Sequence, residues 1–79
     1  MTTSHQVDLT IDAKGQKCPM PVLLLSRGIK KLESGQVLVL EATDGGSKSD
    51  IPSWAKDTGN ELIDQSAEDG VFRYVIRKK

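Results

Sequence analysis

Apolar and polar residues alternate through Val7-Asp8-Leu9-Thr10-Ile11-Asp12. A period of two predicts a half-buried strand with Val7, Leu9 and Ile11 facing inward. Ala13 to Lys17 reads as a loop. The period then changes, because Val22, Leu25, Ile29 and Leu32 fall at helical spacing and form one stripe. Ser34-Gly35 is expected to end that helix, with Lys30 and Lys31 near its negative C-terminal end. Gly28 lies inside the helix at a cost of about 1 kcal/mol relative to Ala. Close packing of helix on sheet is the expected reason.

The most continuous apolar run, Val37-Leu38-Val39-Leu40 within Gln36 to Thr43, predicts a central strand. Asp44-Gly45-Gly46-Ser47 reads as a turn. A second helix follows, with Ile51, Trp54, Ala55 and Thr58 on one face. Ser47 with Asp50 resembles a capping box, but Pro52 would then fall at the fifth helical position. Ser49 as N-cap puts Pro52 in the first turn and is the preferred reading. Gly59 is expected to close the helix. Leu62 to Ala67 reads as a weak strand, Glu68-Asp69-Gly70 as a hairpin turn, and Val71 to Arg77 as a clear strand. Phe72, Tyr74 and Ile76 share one face of it, and Arg73 and Arg77 alternate with them.

The order is β-α-β-α-β-β. A right-handed crossover makes the first two strands parallel, and the last two form an antiparallel hairpin. The expected fold is an α/β two-layer sandwich, a mixed four-stranded sheet with two helices on one face. Residues 1–6, which include His5, read as a disordered N-terminal end, and residues 7–79 as a single domain.

The chain has 79 residues, so nearly every apolar position is needed for the core. Lys and Arg number 11, Asp and Glu also 11, and the net charge is zero. A neutral total argues against direct nucleic-acid binding, which rests on clustered positive charge. No stretch approaches the roughly 18 apolar residues of a membrane span, and the first residues lack the basic and apolar segments of a signal peptide. The single cysteine forms no internal disulfide, which sets aside the small disulfide-stapled class and fits a reducing cytoplasm.

That cysteine stands in Lys17-Cys18-Pro19-Met20-Pro21. With Cys18 at the N-cap, Pro19 is N1 and Pro21 is N3, where neither proline removes a helical hydrogen bond. The prolines fix and stiffen the helix start. Both the positive helix end and its free N–H groups favour thiolate over thiol. Lys14 and Lys17 lie near Cys18 in sequence, and with Arg27 and Lys48 they are candidates for a basic rim around it that would dock an acidic partner or an anionic sulfur species. Asp44 and Asp50 are candidates for partner docking or for support of the thiol's surroundings, against simpler roles in the turn and in the first turn of the helix. Trp54 reads as core.

What is missing narrows the chemistry further. No histidine lies near Cys18, which disfavours a Cys-His hydrolase. A dithiol oxidoreductase needs a second cysteine. One Cys and one His do not make a zinc site. Gly45-Gly46-Ser47-Lys48 does not match a phosphate loop. No metal or cofactor is expected. Single-thiol chemistry remains: acceptance of a sulfur as a persulfide and its transfer to a partner. A regulatory or interaction module of the same fold and a single-thiol redox sensor are the alternatives.

The chain resembles the TusA/SirA-like family of small sulfur-carrier proteins. The residues that carry the resemblance are Asp12 to Pro21, Leu32, Gly35, Thr43-Asp44, Ser47, Asp50-Ile51-Pro52, Trp54 and Gly59. It extends from about Val7 to Arg77. It implies a two-layer sandwich with Cys18 at the start of the first helix, carrying a persulfide sulfur. It also implies a protein sulfur donor, a cysteine desulfurase or rhodanese, and a protein acceptor of the DsrE-type relay class. Such proteins feed tRNA thiolation, molybdenum-cofactor maturation or sulfur oxidation. The expected protein is a cytoplasmic monomer, a sulfurtransferase that acts as a relay. Many relatives have Asp-Pro where this chain has Asp44-Gly45-Gly46, so this loop is expected to be more flexible.

Overall fold

The computed structural model describes residues 7–79; the readings of residues 1–6 and of His5 lie outside the described residues. The elements follow the expected order: β1 (Leu9–Ala13), α1 (Met20–Ile29), β2 (Val37–Ala42), α2 (Ser47–Thr58), β3 (Glu61–Glu68) and β4 (Val71–Arg77). The strands form one sheet in the order β1-β2-β4-β3. β1 pairs parallel with β2, and β4 runs antiparallel to both β2 and β3. The β3–β4 turn is tight because Asp69 and Gly70 both take positive φ, 54° and 79°. This is the backbone that a two-residue hairpin of right-handed twist requires.

Both helices cover one face of the sheet. Leu25, Ile29 and Ile51 pack there on Ala13, Leu38, Leu40, Ala42, Tyr74 and Ile76. Complete burial of a Leu or Ile side chain stabilises by about 1.5–3 kcal/mol, so this layer accounts for most of the stability of so small a chain. The opposite face carries a second, smaller cluster, with Val37, Val39 and Val75 buried beside Ile63. The run Val37 to Leu40 is unbroken by polar residues because both faces of β2 are covered.

Several boundaries differ from those the sequence predicts. Val7 precedes β1 and is exposed rather than inward-facing. α1 stops at Ile29, not at Ser34-Gly35, and Leu32 reaches the core from the turn that follows. Gly35, at φ +89°, sits in that turn and donates its N–H to Lys78 O at 2.8 Å. β3 runs from Glu61 to Glu68 with a register shift between Leu62 and Asp64, and most of it is exposed at the sheet edge. Trp54 is half-buried and packs against the core as expected, with its indole N–H donated to Ser26 Oγ at 3.0 Å across the two helices.

The start of α2 also differs. Gly46 is the N-cap, not Ser49, and Pro52 lies inside the helix. The first bonds are short-range: Ser47 N–H to Asp44 O, Lys48 N–H to Gly45 O and Ser49 N–H to Gly46 O. The helix therefore begins as a tight turn that widens before Pro52. The bond Pro52 omits is the one to Lys48 O. Gly59, at φ +78°, ends α2 as expected.

Candidate functional site

β1 and β2 are parallel, so their carboxyl ends open at the same edge of the sheet, the usual place for a site in such a fold. Two loops leave from that edge, 14–19 into α1 and 43–46 into α2. They are tied together. Gly15 N–H donates to Thr43 Oγ1 at 2.9 Å, and Cys18 N–H donates to Asp44 Oδ2 at 3.3 Å. Asp44 is itself held, because its carbonyl accepts from Ser47 Oγ at 2.8 Å. Ser47 Oγ in turn shares a 2.7 Å hydrogen bond with the fully buried Tyr74 Oη. The loop that carries Asp44 is thus anchored into the sheet at its second half. Gly46 keeps an ordinary helical φ of −64°. Its use here is space, since a Cβ on it would lie 2.9 Å from Asp44 Oδ2 and 3.6 Å from Cys18 Cβ.

The anchor has a measurable consequence. Ser47→Ala strands the buried Tyr74 hydroxyl and is expected to cost about 1–3 kcal/mol. Tyr74→Phe leaves Ser47 bonded to Asp44 and is expected to cost about 1 kcal/mol or less. Urea unfolding of the two variants ranks them, and equal losses would mean that water replaces the tyrosine partner. Burial, partly offset by the Ser47 bond, raises the Tyr74 phenol above its ordinary 10.0. The folded chain keeps that proton where the unfolded chain has lost it, so stability falls as pH rises past 10.0. Tyr74→Phe should flatten that alkaline loss.

Cys18 is exposed and has no disulfide partner. It does not cap α1. Pro19 takes the N-cap position, Met20 is N1 and Pro21 is N2, so Cys18 lies one residue further out than expected. Proline is tolerated at each of these positions, which is why its presence alone did not fix the register. The Cys18–Pro19 peptide bond is cis. The sulfur turns toward α2, where its S–H donates to Asp50 Oδ2 at 2.7 Å.

This contact reverses the expected effect on the thiol. Cys18 is raised above its ordinary 9.0, first by the hydrogen bond to Asp50, then by desolvation, and then by the negative charges of Asp50 and Asp44. The helix ends still oppose this, since the sulfur lies beside the starts of α1 and α2. A helix end, however, carries about half a charge spread over a turn. A whole carboxylate charge in direct contact outweighs it.

The basic rim does not form as expected. Lys14 Nζ lies 3.2 Å from Glu41 Oε1 and 3.8 Å from Asp12 Oδ1, so it pairs along the strands. Lys48 Nζ stands over the Phe72 ring, 5.2 Å from its centre. Arg27 is exposed in the last turn of α1, at the opposite end from Cys18. Lys17 is exposed beside Cys18 in the chain, and its carbonyl accepts from Met20 N–H at 2.8 Å. The structure thus gathers Cys18, Pro19, Asp44 and Asp50 and leaves Lys14, Arg27 and Lys48 elsewhere. Gly46 and Ser47 belong to the site and were not singled out as site residues. The Asp44-Gly-Gly-Ser47 turn signal was visible, but the contact with Cys18 is long-range. Among the described residues, no group of three or more His, Cys, Asp and Glu side chains is placed to hold a metal ion.

A βαβαββ sandwich that presents one exposed, loop-held thiol at the carboxyl edge of its parallel strands defines a small single-thiol carrier domain. Comparison with known proteins agrees. The chain matches the family described as "Sulfurtransferase TusA" over residues 9–78. It is 44% identical over 71 residues to the sulfur carrier protein TusA of Allochromatium vinosum, covering 90% of this chain and 93% of that one. It is 41% identical over 76 residues to the sulfur carrier protein TusA of Pseudomonas aeruginosa, covering 96% of each. The crystal structure of a SirA-like protein from Desulfitobacterium hafniense superposes with a TM-score of 0.78 at 30% identity, covering 87% of this chain and 95% of that one. The chain belongs to the TusA family of sulfur carrier proteins.

Proposed function

We propose that the protein carries sulfane sulfur as a persulfide on Cys18 and passes it to a protein acceptor. The observation that supports this reading is the exposed Cys18 sulfur, held at the meeting point of two loops with no second thiol to resolve it. The steps balance without an oxidant. The Cys18 thiolate attacks the outer sulfur of a donor persulfide. A new S–S bond forms at Cys18, the donor's S–S bond breaks, and the donor sulfur leaves as a thiolate that takes up the proton. An acceptor thiolate then attacks the outer sulfur on Cys18 in the same way. Pro19 and Pro21 stiffen the start of α1, and the Asp44 bond to Cys18 N–H fixes the loop.

In this reading the donor is a protein of the cysteine desulfurase or rhodanese type, and the acceptor is a DsrE-type relay protein. tRNA thiolation, molybdenum-cofactor maturation and sulfur oxidation are the candidate destinations. The protein is a relay, a cytoplasmic monomer rather than a multiple-turnover enzyme. No helix among the described residues is long and apolar enough to cross a membrane. A redox sensor is less well served, because sensor cysteines are often poised beside a resolving cysteine and this chain has a single one.

Intact-mass measurement of the reduced protein after incubation with a cysteine desulfurase and cysteine tests the reading. The expected result is a gain of one sulfur atom, reversed by reductant and absent in Cys18→Ser. No gain with a desulfurase, a rhodanese or polysulfide would remove persulfide transfer as the function.

A further inference from the structure

A groove of about 340 Å³ runs beside the thiol between α1 and α2, lined by Pro19, Val22, Asp50, Ser53, Trp54 and Asp57. Pro19 and Val22 give it an apolar wall on the α1 side, and Trp54 spans toward Ser26. The α2 side carries two carboxylates. Asp50 and Asp57 are separated by about two turns, so they stand on the same side of the helix roughly 10 Å apart. None of the ion pairs among the described residues uses either of them. Of the lysines nearest in sequence, Lys48 stands over the Phe72 ring, and Lys56, the neighbour of Asp57, is exposed and takes part in none of those ion pairs. The groove also reaches the reacting atom, since Asp50 Oδ2 accepts the thiol hydrogen.

We propose that this groove receives the partner segment that presents the exchanging sulfur, and that Asp50 and Asp57 select a segment with basic side chains beside apolar ones. The proposal rests on the reading of Cys18 as the sulfur-bearing residue. Charge complementarity determines the occupant. An anionic segment would meet two unpaired carboxylates, whereas a cationic one pairs with them over an apolar surface. The same pairing draws Asp50 away from the sulfur. Docking and release of the thiol are then one event, and an undocked carrier stays weakly nucleophilic.

Thiol–disulfide exchange with small disulfides of defined charge tests this without any partner protein. The reduced chain is reacted with cystamine, a dication, with dithiodipropionate, a dianion, and with neutral hydroxyethyl disulfide. Each rate is divided by that of mercaptoethanol with the same reagent. The expected cystamine preference over dithiodipropionate is about tenfold at low salt. It should fall toward unity at about 0.5 M salt, where screening is strong. Asp57→Asn, whose side chain is not bonded to the sulfur, should reduce the preference, while Glu33→Gln in the turn after α1 should leave it intact. Equal normalised rates would overturn the proposal. So would a preference that Asp57→Asn leaves untouched, because selection would then lie in Asp50 alone. The readout needs no sulfane sulfur, so its failure leaves the mass measurement standing, and failure of sulfur loading leaves the charge preference standing.

Discussion

Asp50→Asn should make Cys18 react faster with iodoacetamide at pH 7, by several-fold, and move the midpoint of the rate–pH profile downward. The carboxylate contributes to the raised thiol twice, as the direct acceptor of its hydrogen and as a nearby negative charge. Asparagine keeps the shape, removes the charge and offers an N–H to the thiolate. Iodoacetamide is neutral, so the charge of the site acts on the thiol and not on the reagent. Asp44→Asn should move the profile in the same direction by less, because Asp44 binds Cys18 N–H and reaches the sulfur through charge alone. The effect also appears in stability. The folded chain holds the thiol proton above the ordinary 9.0, where the unfolded chain releases it. That contribution is full below 9.0 and is lost as pH rises through the higher folded value. Asp50→Asn should weaken this alkaline loss. An unchanged alkylation profile would mean that the carboxylate does not hold the thiol in solution and that the helix ends set its acidity.

The same variant separates two demands on a carrier. A thiol that ionises readily loads quickly but also reacts with stray electrophiles. A thiol held by Asp50 is protected until something displaces the carboxylate. Asp50→Asn should therefore gain rate with small neutral donors. It should also lose part of the cation preference that the groove confers.

The sequence made the order of elements legible because each period was strong and each break was marked. Alternation identified β1, the three- and four-residue spacing of Val22, Leu25 and Ile29 identified α1, and Asp69-Gly70 identified the hairpin. The helix starts were less legible. Proline is accommodated at several positions in a first turn, so Cys18 as N-cap and Pro19 as N-cap are locally equivalent readings. For α2, the preference for Ser49 over Ser47 as N-cap, made because Pro52 would otherwise fall at the fifth helical position, assumed regular helical bonds from Ser47 onward. The tight first turn around Gly46 removes that assumption. The thiol's surroundings were the least legible part. Lys14 and Lys17 are close in sequence and suggested a cationic setting, whereas the residue that touches the sulfur is Asp50, 32 positions away. Lys14 is drawn off by Glu41, which pairs in register with Asp12 on the neighbouring strand. Sequence proximity gave the candidates, and strand register and helix placement decided which of them met.

Gly28→Ala should destabilise the protein by about 1–2 kcal/mol even though alanine is the better helix former. Helix propensity favours the substitution by about 1 kcal/mol. The packing opposes it. A Cβ at position 28 would lie 2.4 Å from Ile11 Cδ1, 3.1 Å from Leu38 Cδ1 and 3.3 Å from Leu9 Cδ2. Ile11 is half-buried at the edge strand and has room to turn, but Leu38 is fully buried in the centre of the sheet. Overpacking of this kind costs about 1–3 kcal/mol, and α1 must lift from β1 and β2 to relieve what Ile11 does not absorb. The expected fall in Tm is about 4–15 °C for a chain of this length. Ile11→Val removes the atom that would be closest. Alone it should cost about 0.5–1.5 kcal/mol, but combined with Gly28→Ala the total should be smaller than the sum of the two. Strict additivity would place the strain elsewhere, and a higher Tm for Gly28→Ala would show that propensity outweighs close approach. Because α1 carries Pro19 and the adjoining Cys18 against α2, a lifted helix should also lengthen the contact between the sulfur and Asp50. The Gly28→Ala variant should then alkylate at pH 7 faster than the parent and slower than Asp50→Asn, which would connect the packing of a helix interior to the reactivity of the thiol at its start.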